Sequence, residues 1–183
     1  MAKIILGIAG EIASGKGAVC QHIVDIHQGS IHKFSAPLRE LLRRLYLEET
    51  RKNMGDLSGM LRKKYGQDIL AKVMFNDIQH DEHEVIAIDG LRMVSDVKYL
   101  KELPEFKLVF IDVDIRTRYE RLVKRRENAD DENKTYDEFA QDHQMETELQ
   151  IQDLKNYADS VVSNDGDFQH LYAQIDQIIE GKK

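Results

Sequence analysis

One eight-residue segment limits the folds open to this chain more than any bulk property. It is Gly10-Glu11-Ile12-Ala13-Ser14-Gly15-Lys16-Gly17, set between the apolar run Lys3 to Ala9 and a stretch in which Val19, Ile23 and Ile26 recur at helical spacing. The pattern is G-x-x-x-x-G-K, directly after a strand and directly before a helix that opens at Gly15. Glycines let the backbone take positive φ, so that successive N–H groups and the helix N-terminus surround phosphate oxygens. Lys16 would then reach the β- and γ-phosphates. A bare strand-to-helix turn would instead leave Lys16 solvated, and the flanking strand and helix favour the phosphate loop. The position after Lys16, ordinarily Ser or Thr for Mg²⁺, is Gly17, and Ala18 follows, so no hydroxyl is supplied there.

A strand–loop–helix start calls for more βα units. Short β-rich runs occur at Glu84 to Asp89, Lys107 to Val113 and Ser160 to Ser163, with a weaker one at Ser30 to Phe34. Helical-period segments separate them, which is the pattern of a parallel sheet covered by helices. The last helix carries Phe168, Leu171, Tyr172, Ile175 and Ile179 behind Asp167 as N-cap. Pro37 to His83 exceeds one crossover helix and reads as two or three, with Gly55, Gly59 and Gly66 as punctuation. At 183 residues, 42% apolar and 32% charged, the chain is expected to be one globular domain. No apolar run approaches the ~18 residues of a membrane span, and the N-terminus reads as a first strand rather than a signal segment. The single cysteine, Cys20, excludes an internal disulfide and points to a reducing, cytoplasmic setting. A net charge of −7 argues against general nucleic-acid binding and leaves small anionic ligands in a local basic pocket.

Three further segments carry chemistry. Phe34-Ser35-Ala36-Pro37-Leu38-Arg39 puts an arginine near a helix start, against the helix dipole, where a nearby anion would help it; pairing with Glu40 or Glu48 is the alternative. Val85-Ile86-Ala87-Ile88-Asp89-Gly90-Leu91-Arg92 is an apolar strand ending in an acid and an arginine, at the sheet end where ligands gather; Asp89 as N-cap with Arg92 as its ion-pair partner is the alternative. In Arg116 to Arg126, Tyr119, Leu122 and Val123 mark a buried stripe, while Arg121 and Arg125 share a face, which costs energy unless an anion sits between them. Residues 127 to 148 then hold nine acids and one lysine, so Arg125 and Arg126 could instead pair with Asp130, Asp131 or Glu132.

Gly15-Lys16-Gly17 resembles the adenylate kinase-like nucleoside monophosphate kinases, which carry G-K-G-T there; Ala18 stands where their Thr does. The resemblance runs through ordered landmarks over nearly the whole chain. It implies an α/β fold of the P-loop NTPase type, a three-layer, five-stranded parallel sheet with helices on both faces. It also implies a helical acceptor-binding insertion at about 37–83 and a short lid at about 127–148. ATP would be bound by Gly10, Ala13, Ser14, Gly15, Lys16, Gly17, Ala18 and, near the base, Asn164, with Mg²⁺ held by Asp89 through water. The acceptor would be held by Ser35, Arg39, Arg62 and Arg92. Lys16, Arg92, Arg121 and Arg125 would act on the transferring phosphoryl group. The segment Thr50 to Ile69 also resembles the family's acceptor region, although its basic run could be a solvated helix face.

The expected reaction is therefore ATP-dependent phosphorylation of a nucleoside or deoxynucleoside monophosphate. A phosphate monoester is mostly dianionic near pH 7, its second pKa being about 6, so no general base is needed. The rival reading is a dephospho-coenzyme A kinase, whose hydroxyl acceptor benefits from a carboxylate after the second strand; here that place reads His32-Lys33-Phe34-Ser35. A second rival is a nucleotide-binding regulatory module without turnover, suggested by Gly17 and Ala18. His80-Asp81-Glu82-His83 lacks a third obvious metal ligand and reads as solvated. Cys20 reads as a small core residue.

Overall fold

Alternation along the strands builds the sheet. In the computed structural model, which describes residues 3–125, 134–144 and 146–181, successive side chains of β1 (Ile4–Ala9), β3 (Val85–Asp89) and β4 (Phe106–Asp112) go to opposite faces. Ile5, Ile86, Ile88, Leu108 and Phe110 enter one core, while Leu6, Ile8, Val85, Ala87, Val109 and Ile111 enter the other. A strand apolar on both faces must be covered on both, and so belongs at the centre of a helix-sandwiched parallel sheet. The five strands run parallel in the order β2-β3-β1-β4-β5, with β2 (Ser30–Lys33) and β5 (Ser160–Ser163) at the edges. The five-stranded expectation is met, and the weak second strand is real.

One face is covered by α1 (Lys16–His27) and α9 (Phe168–Ile179). The other is covered by α2 (Ala36–Arg44), α4 (Ile69–Gln79), the short α5 (Val94–Val97) and α8 (Glu146–Asp153). Helix α3 (Arg51–Tyr65) lies outside them, with Met54, Leu57 and Leu61 packed onto that core. The insertion thus holds three helices. Gly55 and Gly59 are not punctuation, as the sequence suggested, but lie inside α3. The Thr50 side chain caps the helix start by accepting from Asn53 N at 3.1 Å, and Gly66, at φ 106°, ends it. Each interior glycine costs about 1 kcal/mol relative to alanine, and the caps and the half-buried apolar stripe outweigh that. No packing demands them, since a Cβ at either would meet nothing within 4 Å.

Two helix faces also need correction. Ile26 is 64% exposed, and α1 buries Val19, Cys20 and Ile23 instead. Phe168 is 48% exposed at the first position of α9, although Asp167 caps that helix as expected, accepting from His170 N at 2.8 Å. Helix α6 (Ile115–Arg125) precedes the proposed lid, which contains α7 (Tyr136–Asp142) and lies in part outside the described residues. The acid-rich segment does contain structure: Thr135 and Glu138 form a capping box at the start of α7, which buries Phe139. Among the described residues no helix is long and apolar enough to cross a membrane.

Candidate active site

The loop between β1 and α1 closes at the carboxyl end of the central strand. Gly10 has φ 149° and Gly15, the N-cap of α1, has φ 103°. A Cβ on Gly15 would stand 2.5 Å from Asn164 Nδ2, so both conformation and space require glycine there. Ala13 takes φ 60°, a left-handed conformation that costs a non-glycine residue about 1 kcal/mol and typically marks a constrained functional turn. The Lys16 ammonium spans the loop, donating to Gly10 O at 2.7 Å and Glu11 O at 2.8 Å. Ser14 is fully buried, and Asn164 donates from Nδ2 to Ser14 O at 2.8 Å. Asn164, expected near the donor base, therefore rests directly on the loop. Gly17 is exposed in the first turn of α1, and a Cβ there would meet nothing within 4 Å. Ala18 is half-buried one residue on.

Beneath the loop is a network that the sequence reading missed. Glu11 is 8% exposed although it belongs to a loop suited to anions. Its carboxylate meets Arg118 Nη2 at 3.1 Å and accepts from Gln152 Nε2 at 3.0 Å. Arg118, 3% exposed on α6, also donates from Nε to Val113 O at 3.1 Å and from Nη1 to His143 Nε2. His143 Nδ1 lies 2.8 Å from Phe139 O, and a carbonyl only accepts, so Nδ1 carries the proton. In the neutral ring Nε2 is then an acceptor, which suits its contact with Arg118. The 3.5 Å approach of His143 Nε2 to Glu11 is accordingly not an ion pair, and Arg118 is the cation that balances Glu11. Burial lowers the proton affinity of the Arg118 guanidinium, and the charge of Glu11 works against that effect. The network binds the loop to α6, to the residue after α7 and to α8. An acid inside an anion cradle was the available clue, because it demands a buried cation. Arg118 also lies one helical turn before Leu122, on the buried face.

Asp89 ends β3 in register with Ile8 of β1 and Lys33 of β2. Cys20 locates the charges around it. Burial pushes its thiol up to about 12, with the negative charge of Asp89 adding to the rise and the positive charges of Lys33 and Lys16 opposing it. Asp89, Lys33 and Lys16 thus all act on the Cys20 thiol. Cys20 itself is a buried core residue, as expected.

The acceptor-side residues are placed less uniformly. Ser35 is the half-buried N-cap of α2 and makes no side-chain cap bond. Arg39 pairs with Glu49 at 3.0 Å, rather than with Glu40 or Glu48, and Arg43 shares that carboxylate at 3.1 Å. Arg62, expected on the acceptor side, already has partners within the fold: its Nη2 is 2.7 Å from Asp96 Oδ1, its Nε donates to Ser58 Oγ at 3.3 Å, and its Nη1 donates to Gln67 O. It is a tie between α3 and α5, drawn in because Asp96 is 1% exposed and a buried carboxylate requires a cation. Asp96 Oδ2 accepts from the backbone N–H of Arg92 at 3.0 Å and of Met93 at 3.2 Å. This fixes the segment that presents the exposed Arg92 beyond β3, and Asp89 and Arg92 do not form the N-cap pair considered above.

Arg121 of α6 donates from Nη2 to Asn164 O at 2.8 Å and to Gly166 O at 3.3 Å, reaching the turn after β5. The side chain of Arg125, and the pairing of Arg125 and Arg126 with Asp130, Asp131 or Glu132, lie outside the described residues. Ser14 Oγ, Arg121 Nη1 and Asn164 Oδ1 are among the five buried polar atoms with no hydrogen-bond partner among the described residues. All three belong to residues joined by the Arg121–Asn164–Ser14 contacts, and such atoms suit a polar ligand. His80 and His83 are exposed and engage Asn76 O and Asp81 respectively, but the Asp81 side chain is only 9% exposed and also accepts from Ser30 Oγ at 2.5 Å, so the segment is solvated only in part.

Known proteins agree with this architecture. A UPF0200 protein of Hyperthermus butylicus is 25% identical over 177 residues, covering 97% of this chain and 94% of its own. A shikimate kinase from Bacteroides thetaiotaomicron superposes with a TM-score of 0.60 at 14% identity, covering 97% of each chain. A gluconokinase from Sinorhizobium meliloti gives 0.60 at 13% identity, covering 98% of this chain and 94% of its own. These structural likenesses show a P-loop kinase fold. The family profile described as "AAA domain" matches residues 7–138, from β1 through the phosphate loop to α7, and on that match the chain belongs to the AAA-domain family.

Proposed function

We propose that this protein transfers the γ-phosphoryl group of ATP to a nucleoside or deoxynucleoside monophosphate. The observation that carries the reading is the charge arrangement at the carboxyl ends of β1, β2 and β3. Lys16 spans the loop that would hold ATP, Asp89 stands beside it, and the end of β2 offers Lys33 in register with Asp89 where a hydroxyl acceptor would benefit from a carboxylate. A dianionic phosphate needs no base. Its oxygen attacks the γ-phosphorus, the bond to the bridging oxygen of the β-phosphate breaks, and no proton has to move. The chain then contributes position and charge. Lys16 leaves its loop carbonyls to follow the transferring group, Arg92 and Arg39 hold the acceptor phosphate, and the unpartnered Arg121 Nη1 and Asn164 Oδ1 meet the donor nucleotide. Arg121 and Arg125 would further neutralise charge on the transferring group.

Mg²⁺ fits with one reservation about its ligands. Gly17 supplies no hydroxyl, so Asp89, half-buried at the end of β3, would hold the ion through water. When bound, Mg²⁺ neutralises the β- and γ-phosphates.

A second reading, transfer to an alcohol as in a dephospho-coenzyme A kinase, is favoured by the structural likeness to a shikimate kinase and a gluconokinase. Asp89 would then have to accept the hydroxyl proton. One experiment separates the readings: ADP formation from ATP and Mg²⁺, measured with each ribo- and deoxynucleoside monophosphate, dephospho-coenzyme A, shikimate and gluconate. Turnover with a monophosphate alone supports the proposal. Turnover only with an alcohol replaces it, and ATP binding without turnover on any acceptor points to a regulatory module.

A further inference from the structure

At the far end of α1 from the phosphate loop, three metal-ligating side chains converge. His22 and His27 lie on α1 and Asp176 on α9, where the two helices pack over the sheet. The Nε2 atom of His22 is 2.8 Å, and that of His27 2.7 Å, from the same oxygen, Asp176 Oδ1. The three potential donor atoms all lie within 4.8 Å of one another. The histidine side chains are only 10% and 12% exposed, against 34% for Asp176. His22 is held by stacking on Tyr172, with ring centroids 4.2 Å apart and planes 2° from parallel, and it meets His27 edge-on at 5.7 Å. The two rings are therefore fixed and aimed at one point, and the carboxylate is the part free to swing aside.

Two neutral imidazoles and one carboxylate form a donor set for borderline divalent ions. Ligands of a tetrahedral ion, with bonds of about 2.0–2.1 Å, stand about 3.3–3.4 Å apart. The N···O separations here are about 0.6 Å shorter than that, so binding needs the Asp176 carboxylate to shift by less than about 1 Å rather than a rebuilt site. The cluster around Asp81 differs: His32 and His83 approach opposite oxygens of that carboxylate, at 2.6 Å each, and do not aim at a common point.

We propose that His22, His27 and Asp176 bind a divalent transition-metal ion of the Zn²⁺ class, with water completing the shell on the exposed side. The ion would clip the last two turns of α1 to α9. His22 and His27 follow Lys16 by six and eleven residues of helix, about 9 and about 16.5 Å at 1.5 Å per residue, so the site is separate from the Mg²⁺ that accompanies ATP.

The test uses the untagged full chain, stripped with a chelator. Zn²⁺ is titrated calorimetrically, and Co²⁺ is followed by its visible absorption. One ion per chain is expected, with a raised Tm and affinity weakened at least about tenfold in both His27→Gln and Asp176→Asn. His83→Gln should bind as the natural chain does. The two site variants are judged separately by circular dichroism, so that misfolding of one leaves the other decisive. Absence of stoichiometric binding, or binding retained in a folded site variant, overturns the proposal.

Discussion

The proposed donor and acceptor sides of this protein are built by different means. The donor loop is a backbone structure: glycines at positive φ, a lysine on loop carbonyls, Asn164 on Ser14 O, and a buried ion pair beneath. The acceptor side relies on long side chains from α2, α3 and the segment after β3, and two of its arginines already answer carboxylates, Arg39 to Glu49 and Arg62 to Asp96. A shape made from buried backbone is in place before ligand arrives, whereas a charge on an exposed side chain must be redirected towards it. Phosphate recognition that is common to every donor nucleotide suits the first design. Selection among acceptors suits the second.

The largest expected effect tests whether the donor loop is anchored from below. Glu11→Ala leaves the Arg118 guanidinium buried without its carboxylate and should destabilise the fold by about 3–5 kcal/mol, seen as a Tm lower by roughly 10 °C. A loss under about 1 kcal/mol would show that the network is incidental and the contrast overstated. Next, Lys16→Ala should lower kcat by at least about 100-fold, because it removes the charge that follows the transferring group, while circular dichroism and Tm stay close to those of the natural chain. Near-normal turnover in the purified variant would sink the phosphate-loop assignment.

Arg92→Ala belongs on the acceptor side alone, with an expected fall in kcat/KM for the acceptor of roughly 30-fold, about 2 kcal/mol, and unchanged ATP affinity by titration. Equal losses for both ligands would move Arg92 to the donor side. Ala18→Thr sharpens the donor description: one added charge-assisted hydrogen bond, about 1.5 kcal/mol, should tighten ATP up to about tenfold. The helix-propensity cost of threonine, under about 1 kcal/mol, is smaller. Unchanged or weaker binding would mean that the loop is shaped around alanine. The smallest effect is expected from Glu49→Gln, which breaks a half-exposed pair: a stability change under about 1 kcal/mol, together with a tighter acceptor KM if releasing Arg39 favours phosphate.

Legibility in the sequence followed the range of the interactions. The phosphate loop could be read because its chemistry is contiguous, and the central strands because apolar runs bounded by turns report burial on both faces. Gly55 and Gly59 misled because a glycine signals a break only where packing and capping do not override it. Within the site, Arg62 and Arg121 were recognised as cations, but their partners lie 34 and 43 positions away along the chain, and periodicity carries no information at that distance. Glu11 and Arg118 were passed over for the same reason, since their pairing depends on α6 crossing beneath the loop.

What the sequence determined by itself was the sequence of βα units, the glycine-rich loop that leads into Lys16 at the start of α1, and the placing of Asp89 at a strand end, because each depends on neighbours within a few residues. The tertiary structure alone decided which cations are already neutralised, that Asn164 rests on the loop, and that His22, His27 and Asp176 meet. Those outcomes depend on which helices the parallel sheet brings side by side. Charge pairing and ligand geometry are set by distances of a few ångströms between groups that the chain separates by up to 154 residues.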